Sequence, residues 1–510
     1  MKPRARRPHP PFLSACSLVV VAFVLAPAST PALAAPAAQA PEDRVDVLVV
    51  GGTSAGVAAA LAAARRGKKT LLTEESDTLG SVLTRAWLAT FDVNRGAKRE
   101  HLTRGIFLEI FREMGMTFDV DKAKAVFHRK VASQLRLEAR FRAKPVEAIH
   151  DGPRLVGVRF RDARSGAQSV VRAAVIIDAT DDADLAVLAG TPYTIGREIS
   201  GEDKAMQAAS LIFRLGGVDR KEVARHLYRM GGVTNGVCGR YMWGYAEIFK
   251  SYKPIQRDTL ILDMNMSWQT DGTVIINGLQ IIGVDGTNPA SVADGMARAT
   301  AELPHIAAFL RQQAPGFASA ELVDTAPILY IRETRHIQGL YTLTAKDITE
   351  RRNFPDKIAV ASYPIDLHPY HLGWRNRLKP ERKTYSIPLR SLVPARPDGL
   401  VVASRAFSAT WQAAGSARIV PTTMSMGEAA GVAAVVAIER GVTPREVATR
   451  ARSTREVQDR LLAAGAYLTM PQDEETLPAR AKRLAARIRM KVYDLLGIKE
   501  PAKQSFIVTC

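Results

Sequence analysis

Residues 45–75 read VDVLVVGGTSAGVAAALAAARRGKKTLLTEE. An apolar strand from Val45 to Val50 runs into a glycine turn. An alanine-rich helix from Ala55 to Arg66 follows, then a second strand, Thr70 to Thr73, that ends in Glu74. Strand, turn, helix, strand and terminal acid in this order predict a βαβ unit built to hold a dinucleotide. Gly51 permits the sharp turn, Gly56 lets the helix pack close to the sheet, and the amides of Gly52, Thr53, Ser54 and Ala55 lie where a helix N-terminus faces a pyrophosphate. Glu74 stands where a carboxylate accepts hydrogen bonds from an adenosine ribose. The run departs from G-x-G-x-x-G at Thr53, whose hydroxyl is expected to donate to a phosphate oxygen.

The chain of 510 residues is long enough for two or three domains, and its 24% charged content is that of an ordinary globular protein. The N-terminus reads as a secretory signal over residues 1–34. Lys2, Arg4, Arg6 and Arg7 precede an apolar run, Phe12 to Ala26, and Ala32-Leu33-Ala34 offers a small-residue cleavage site. That run is too short to span a bilayer as a helix, so no integral membrane span is expected, and Arg6-Arg7 loosely matches a twin-arginine export signal. A periplasmic or secreted location follows. The formal charge of +19 includes the four basic residues of the signal, leaving +15 for the mature chain. Such a surplus favours anionic partners, while export and the lack of a recognition motif disfavour nucleic acid. Of three cysteines only Cys238 and Cys510 survive cleavage. They exclude a disulfide framework and an iron–sulfur cluster, and allow one bridge.

Along the chain, helical periodicity is read from about Glu100 to Met114, and short strands at Arg140 to Ala148, Arg154 to Asp162 and Ala167 to Arg172. The buried strand Ala174 to Thr180 returns to the nucleotide-binding sheet. From Thr191 to Arg382 the βα alternation stops: Thr259 to Met266, Gly272 to Ile282 and Leu322 to Glu333 read as sheet, and Ala290 to Ala314 as helix. Gly399 to Ser404 reads as a strand. Met426 to Arg440 reads as a helix whose start, Gly427 to Gly431, is expected to direct amides at a negative ligand atom. The basic segment Arg480 to Lys491 has helical apolar spacing.

Several stretches together resemble the FAD-dependent oxidoreductase family, whose flavin domain is shared with fumarate-reductase-like and heterodisulfide-reductase-like flavoproteins. They are VVGGTSAGVAAALAAARRG, VIIDATDDADLAVLAG (Val175–Gly190), IRETRHIQGLYTLTAKD (Ile331–Asp347), ASYPIDLHPYH (Ala361–His371) and YSIPLRSLVP with LVVASRAFSATWQAAGSARIVPTTMSMGEAAG (Tyr385–Gly431). The resemblance implies an α/β fold. A discontinuous Rossmann-like FAD-binding domain would occupy 35–190 and 385–450, an inserted α+β substrate domain 191–384, and a helical C-terminal tail 451–510. It places Gly51, Gly52, Thr53, Gly56 and Glu74 on the ADP half of FAD and Ala179, Thr180 and Asp181 at a second nucleotide-contacting strand end. It sets Gly427, Glu428, Ala429, Ala430 and Gly431 near the flavin ring. Val146, in the strand-like Arg140 to Ala148 segment, is counted with the cofactor contacts. The family pattern ATGDGD becomes ATDDAD here, and an added carboxylate at Asp181 costs affinity for pyrophosphate unless it points away.

Catalytic candidates cluster at Tyr363, Asp366, His368 and His371, with Tyr370 beside them. A histidine suits general acid–base work and a nearby aspartate can fix its tautomer. The same stretch also reads as a turn-rich loop around Pro364 and Pro369, or as a D-x-H-x-x-H metal site, the less favoured reading. Arg332, with Glu333 and Arg335, reads either as a clamp for an acidic substrate or as an ion-pair network. Arg390 and Arg418 are further anion-contact candidates, and His336 reads as structural. The chain is therefore expected to be an exported FAD-dependent oxidoreductase acting on a small-molecule substrate of anionic type. A quinone, a redox protein or oxygen would be its electron partner. The alternatives are an NAD(P)-dependent enzyme and a non-redox carbohydrate-processing or binding protein on a nucleotide-binding scaffold.

Overall fold

The computed structural model describes residues 41–470, except 97, 233, 375 and 377–380. The signal segment, the basic 480–491 stretch and the Cys510 end of a Cys238–Cys510 bridge lie outside the described residues. Val45 to Val50 belongs to β1 (Glu42–Val50), which is followed by α1 (Ser54–Ala64) and β2 (Thr70–Thr73). α1 is buried along its whole length, so its alanines serve close packing on all sides and not an amphipathic stripe. Two amphipathic helices follow, α2 (Ile106–Met114) and α3 (Val120–Ala132), and then β3 (Leu137–Arg140), β4 (Ala143–Asp151), β5 (Arg154–Asp162) and β6 (Gln168–Asp178).

These strands form a mixed sheet in the order β3-β2-β1-β6-β5-β4. β1 pairs parallel with β2 and with β6, and β2 pairs parallel with β3. At its other edge β6 pairs antiparallel with β5 through its first half, and parallel with Leu400–Val402 through its second half. Val50 is in register with both Thr73 and Asp178, and Asp178 with Val402. Four carboxyl ends therefore finish at one level, the place where open α/β sheets bind ligands. Gly51 turns the chain there with φ +106°, and a Cβ on it would lie 2.5 Å from the Ala179 carbonyl carbon. Only glycine tolerates that combination.

A second sheet is antiparallel. Its longest strands, Thr259–Trp268 and Val274–Ile281, form a hairpin flanked by Tyr241–Gly244 on one side and Phe213–Gly216 on the other. The 25-residue helix Pro289–Gln313 contacts it. Residues 451–463 form a C-terminal helix. One hydrophobic cluster runs from Val57 in α1 through Met264 and Ile276 of the second sheet to Leu461, so the two sheets share a core.

The helix expected from Met426 begins earlier, at Val420, with Pro421 in its first turn, and runs to Arg440. Gly427, Glu428, Ala429, Ala430 and Gly431 are consequently mid-helix, with their amides spent on the helix itself, and they do not present an N-terminus to a ligand. Their role is packing. A Cβ on Gly427 would lie 2.1 Å from the Ala55 carbonyl oxygen, and one on Gly431 2.3 Å from that of Ala59. Glu428 turns away to accept from the Ile106 amide at 3.0 Å, capping α2, and burial pushes its carboxyl up to about 7. The same helix is long and apolar enough to cross a membrane, yet 89% of its apolar window is buried inside the protein.

Replacing Gly427 or Gly431 by Ala should lower stability by about 1–3 kcal/mol through overpacking against backbone, despite the ~1 kcal/mol helix preference of Ala. Denaturant unfolding checks this; a gain in stability for either variant would contradict the close contact.

Candidate active site

Two adjoining cavities lie at the carboxyl ends of the parallel strands. The first is lined by the start of α1 (Thr53, Ser54, Ala55), by Asp181 and Arg405, and by the start of the 420–440 helix (Ile419, Val420). Thr53 is the N-cap of α1. Its hydroxyl accepts from the Gly56 amide at 3.1 Å and donates to the Ala179 carbonyl at 2.9 Å. Its proton is thus committed to protein, which corrects the expectation that it donates to phosphate: a capping hydroxyl replaces the family glycine and locks the turn. The Ser54 and Ala55 amides, one and two positions later, have no protein acceptor among the described residues and open on this cavity. Glu74 accepts from the Gly52 amide at 2.7 Å and from Ser76, fastening the end of β2 to the turn.

Asp181 does not point away. It lines the same cavity as Ser54, and is held by a short hydrogen bond from Ser81 and by Arg405 at 3.4 Å. Arg405 also pairs with Asp182 at 2.7 Å, so one buried guanidinium balances two acids. Burial raises the Asp181 carboxyl and Arg405 opposes this. Neither Asp182 nor Arg405 was singled out in the sequence. Ala179 and Thr180 follow β6, and Thr180 donates to Asp178 at 2.6 Å. Val146 sits at the bulge of β4 between Pro145 and Glu147 and lines neither cavity.

The second cavity, of about 240 Å³, lies between the hairpin of the second sheet and the loop Ser362–Pro369. That loop is clamped at both ends. The buried Asn94 accepts from the amides of Ser362 (2.8 Å) and Tyr363 (3.1 Å), while its own amide donates to Thr103 and Thr422. At the far end Gln207 accepts from the His368 amide, and the Ala208 amide donates to the Pro369 carbonyl at 2.8 Å. Tyr363, Asp366 and His368 thereby face the cavity together with Arg332 and Arg418. His371 does not. It is exposed, with Nδ1 against the Leu372 carbonyl, because the loop turns outward after Tyr370; the Asp366, His368 and His371 side chains do not converge on one metal position.

His368 lies with Nε2 3.4 Å from Asp366 and Nδ1 3.2 Å from Gln280. Burial, reinforced by Arg332, pushes its pKa down to about 4, so the ring is neutral at ordinary pH. Burial raises Asp366, but its cationic neighbours outweigh this and hold it well below the usual carboxylate range. Above pH ~4, where the ring is uncharged, Arg418 and Arg332 are the cations that keep Asp366 ionised. Arg332 is 3% exposed and is lowered by burial to about 10. It donates to the Ala208 carbonyl at 2.8 Å and stacks over Tyr330. Arg418 reaches the Tyr330 hydroxyl at 3.0 Å and Asp366 at 3.3 Å. The Nε atoms of both arginines are buried without a partner among the described residues.

The segment read as sheet to Glu333 is strand only over Glu321–Thr325, and the cluster Arg332-Glu333-Arg335 is split along the irregular chain that leads into the strand Arg335–Ile337. Glu333 points to the opposite side, taking the Tyr370 hydroxyl (2.9 Å) and His336 (3.0 Å), and Arg335 reaches Asp184. The arginine that accompanies Arg332 in the cavity is Arg418. Arg390 is spent on a bidentate pair with Asp356. Asp92, Tyr241, Asp263, Asn265, Asn277 and Gln280 also line the cavity and were not foreseen. Burial, then Asp366, raises the carboxyls of Asp92 and Asp263.

Residues 46–461 match the model of a family described as FAD dependent oxidoreductase. No curated protein matches the chain significantly. Among solved structures it is similar to a geranylgeranyl bacteriochlorophyll reductase-like protein from Thermoplasma acidophilum, at 14% identity over 90% of this chain and 100% of that one, with TM-score 0.41. It is also similar to p-nitrophenol 4-monooxygenase PnpA from Pseudomonas putida (11% identity, 89% and 97% covered, TM-score 0.41). A flavoprotein/dehydrogenase from Cytophaga hutchinsonii gives 13% identity, 83% and 86% coverage and TM-score 0.39.

A histidine whose folded pKa is about 4 against 6.5 unfolded stabilises fully above pH 6.5 and progressively less as pH falls toward 4. The stability difference between the native chain and His368→Gln should therefore shrink by about 3 kcal/mol from pH 7 to pH 4. Urea denaturation across that range measures it, and a difference independent of pH would refute the neutral buried ring.

Proposed function

The chain belongs to the family of FAD dependent oxidoreductases, and from that premise we propose that it is an exported flavoenzyme performing two-electron redox on a small polar molecule held beside His368. One observation carries the reading: Leu88, Thr90, Asp92, Tyr330, Arg332 and Arg418 line both cavities, so the space at the start of α1 continues into the space that holds the histidine.

The residues of the first cavity suit FAD. The unpaired amides of Ser54 and Ala55 at a buried helix N-terminus favour a pyrophosphate, and the start of the 420–440 helix supplies a second positive end at the same opening. Glu74 at the tip of β2 has the position of a ribose acceptor, and Arg405 offsets the extra acid at Asp181. When bound, FAD supplies the hydride or electron transfer. The protein handles the proton. His368, uncharged at neutral pH, takes a proton from a substrate O–H or N–H, and ionised Asp366 stabilises the imidazolium so formed. In the reverse direction the same pair returns the proton. Arg332 and Arg418 donate to an oxygen on the substrate and keep Asp366 ionised.

Export rests on the basic, apolar and small-residue pattern of residues 1–34. A protein outside the cytoplasm has no evident supply of NAD(P)H, which favours a quinone, a redox protein or oxygen as electron partner. Fractionation of expressing cells, with N-terminal sequencing of the exported form, tests the location.

Arg405→Ala should weaken FAD binding tenfold or more, by leaving Asp181 and Asp182 uncompensated at the cleft, and adding Asp181→Asn should restore part of the loss. Flavin fluorescence titration reads both; equal affinity in all three proteins would remove the pyrophosphate from this place. Anaerobic stopped-flow with candidate donors should show flavin bleaching slowed 10²–10⁴-fold in His368→Ala with flavin content unchanged. Unaltered bleaching would clear His368 of the proton step.

A further inference from the structure

The walls of the 240 Å³ cavity restrict what can fill it. On the side of the second sheet, Asp263, Asn265 and Ser267 alternate along one strand, and Asn277 stands on its hairpin partner. Asp263, a solvent-exposed residue, and the half-buried Asn277 have no hydrogen-bonding or ionic partner among the described residues. Opposite them are the unpartnered Nε atoms of Arg332 and Arg418, both at least nine-tenths buried. Acceptors and donors are thus interleaved around one small space, and a buried donor such as either Nε left unmatched costs about 1–3 kcal/mol.

An apolar ligand would leave the two buried Nε atoms unmatched and would take water from Asp263 and Asn277 without replacing it. An anion would meet Asp92, Asp263 and Asp366, and a cation would meet Arg332 and Arg418. A hydroxyl both donates and accepts, so several hydroxyls on one frame satisfy carboxylates, amides and guanidinium atoms together. The volume lies below the ~300–1,000 Å³ of sites for drug-sized ligands, which limits the frame to about one ring. Trp87 and Tyr241 lend the space aromatic walls. We propose that the cavity binds a neutral, polyhydroxylated molecule of single-ring size, with Asp263 and Asn277 as specificity-determining residues. This refines the redox reading above, rests on it for the identification of the cavity as the substrate site, and replaces the anionic substrate expected from net charge.

The test is titration calorimetry of the flavin-loaded protein against four sets of probes: monosaccharides, sugar alcohols and cyclitols; dicarboxylates; primary amines; and simple aliphatic alcohols. Saturable binding is expected for at least one polyol and for none of the other sets. Asp263→Asn and Asn277→Ala should each weaken it about tenfold while leaving flavin content unchanged. Preference for dicarboxylates or amines overturns the proposal. So does the absence of polyol binding up to tens of millimolar, or polyol affinity unmoved by both substitutions. Bleaching of the flavin is followed in parallel. A protein that binds polyols through Asp263 and Asn277 without bleaching upholds this inference and refutes the redox reading, whereas bleaching by amines or dicarboxylates alone does the reverse.

Discussion

Helix α1 and the 420–440 helix approach until the carbonyls of Ala55 and Ala59 occupy the space that side chains would take at Gly427 and Gly431. The rest of the active region is arranged around that contact. It joins the first βα unit to a helix from the far end of the sequence, and it brings both helix starts to the opening where four parallel strands end. Thr422, in the first turn of the later helix, then receives a hydrogen bond from Asn94. The same asparagine fixes the start of the Ser362–Pro369 loop. The position of the histidine is therefore referred, through one fully satisfied buried amide, to the same pair of helices that frames the cofactor cleft. Buried polar networks of this kind specify a single geometry when every member is satisfied.

Charge in this region is distributed in small balanced sets. Arg405 answers Asp181 and Asp182, and Arg418 answers Asp366. Arg332 forms no ion pair among the described residues and acts on Asp366 only through its field; it leans on a carbonyl and a tyrosine ring, and its cost of burial shows in its lowered pKa. After burial, this cation is the next reason that the His368 ring stays neutral. The neutral ring is free to accept a proton at ordinary pH, and its depressed pKa means that it holds that proton weakly and gives it up readily.

The sequence exposed the parts whose local pattern carries their meaning. The βαβ unit was legible because strand and helix periods change at the glycine turn, and β5 was bounded as read because turn residues close both its ends. Tyr363, Asp366 and His368 stood out because few residue types titrate usefully, and Arg332 because it forms a charged cluster with Glu333 and Arg335; all four line the second cavity. Helix starts were misread where side-chain capping gave no cue. Pro421 marks the first turn of the later helix, but the glycines after it drew the boundary six residues downstream. The helix expected from Glu100 begins only after Gly105, which adopts φ +60°. Asp263, Asn265 and Ser267 did carry a signal, polar residues two apart in an otherwise apolar strand, yet nothing local says which face of a hairpin meets a loop a hundred residues on. Arg405 and Arg418 gain their partners only through tertiary structure, so one was missed and the other was left among several arginines.

The division of labour between the two walls of the second cavity has an evolutionary corollary. The loop that bears His368 is anchored by Asn94, Gln207 and Ala208, none of which belongs to the hairpin bearing Asp263 and Asn277. Apart from Gln280, which meets His368 Nδ1 at 3.2 Å, amino acids on that hairpin can drift without touching the His368–Asp366 pair, and the start of α1 is more remote still. Descendants of such a scaffold are free to change diet by altering a few positions on two neighbouring strands while inheriting their reaction unchanged.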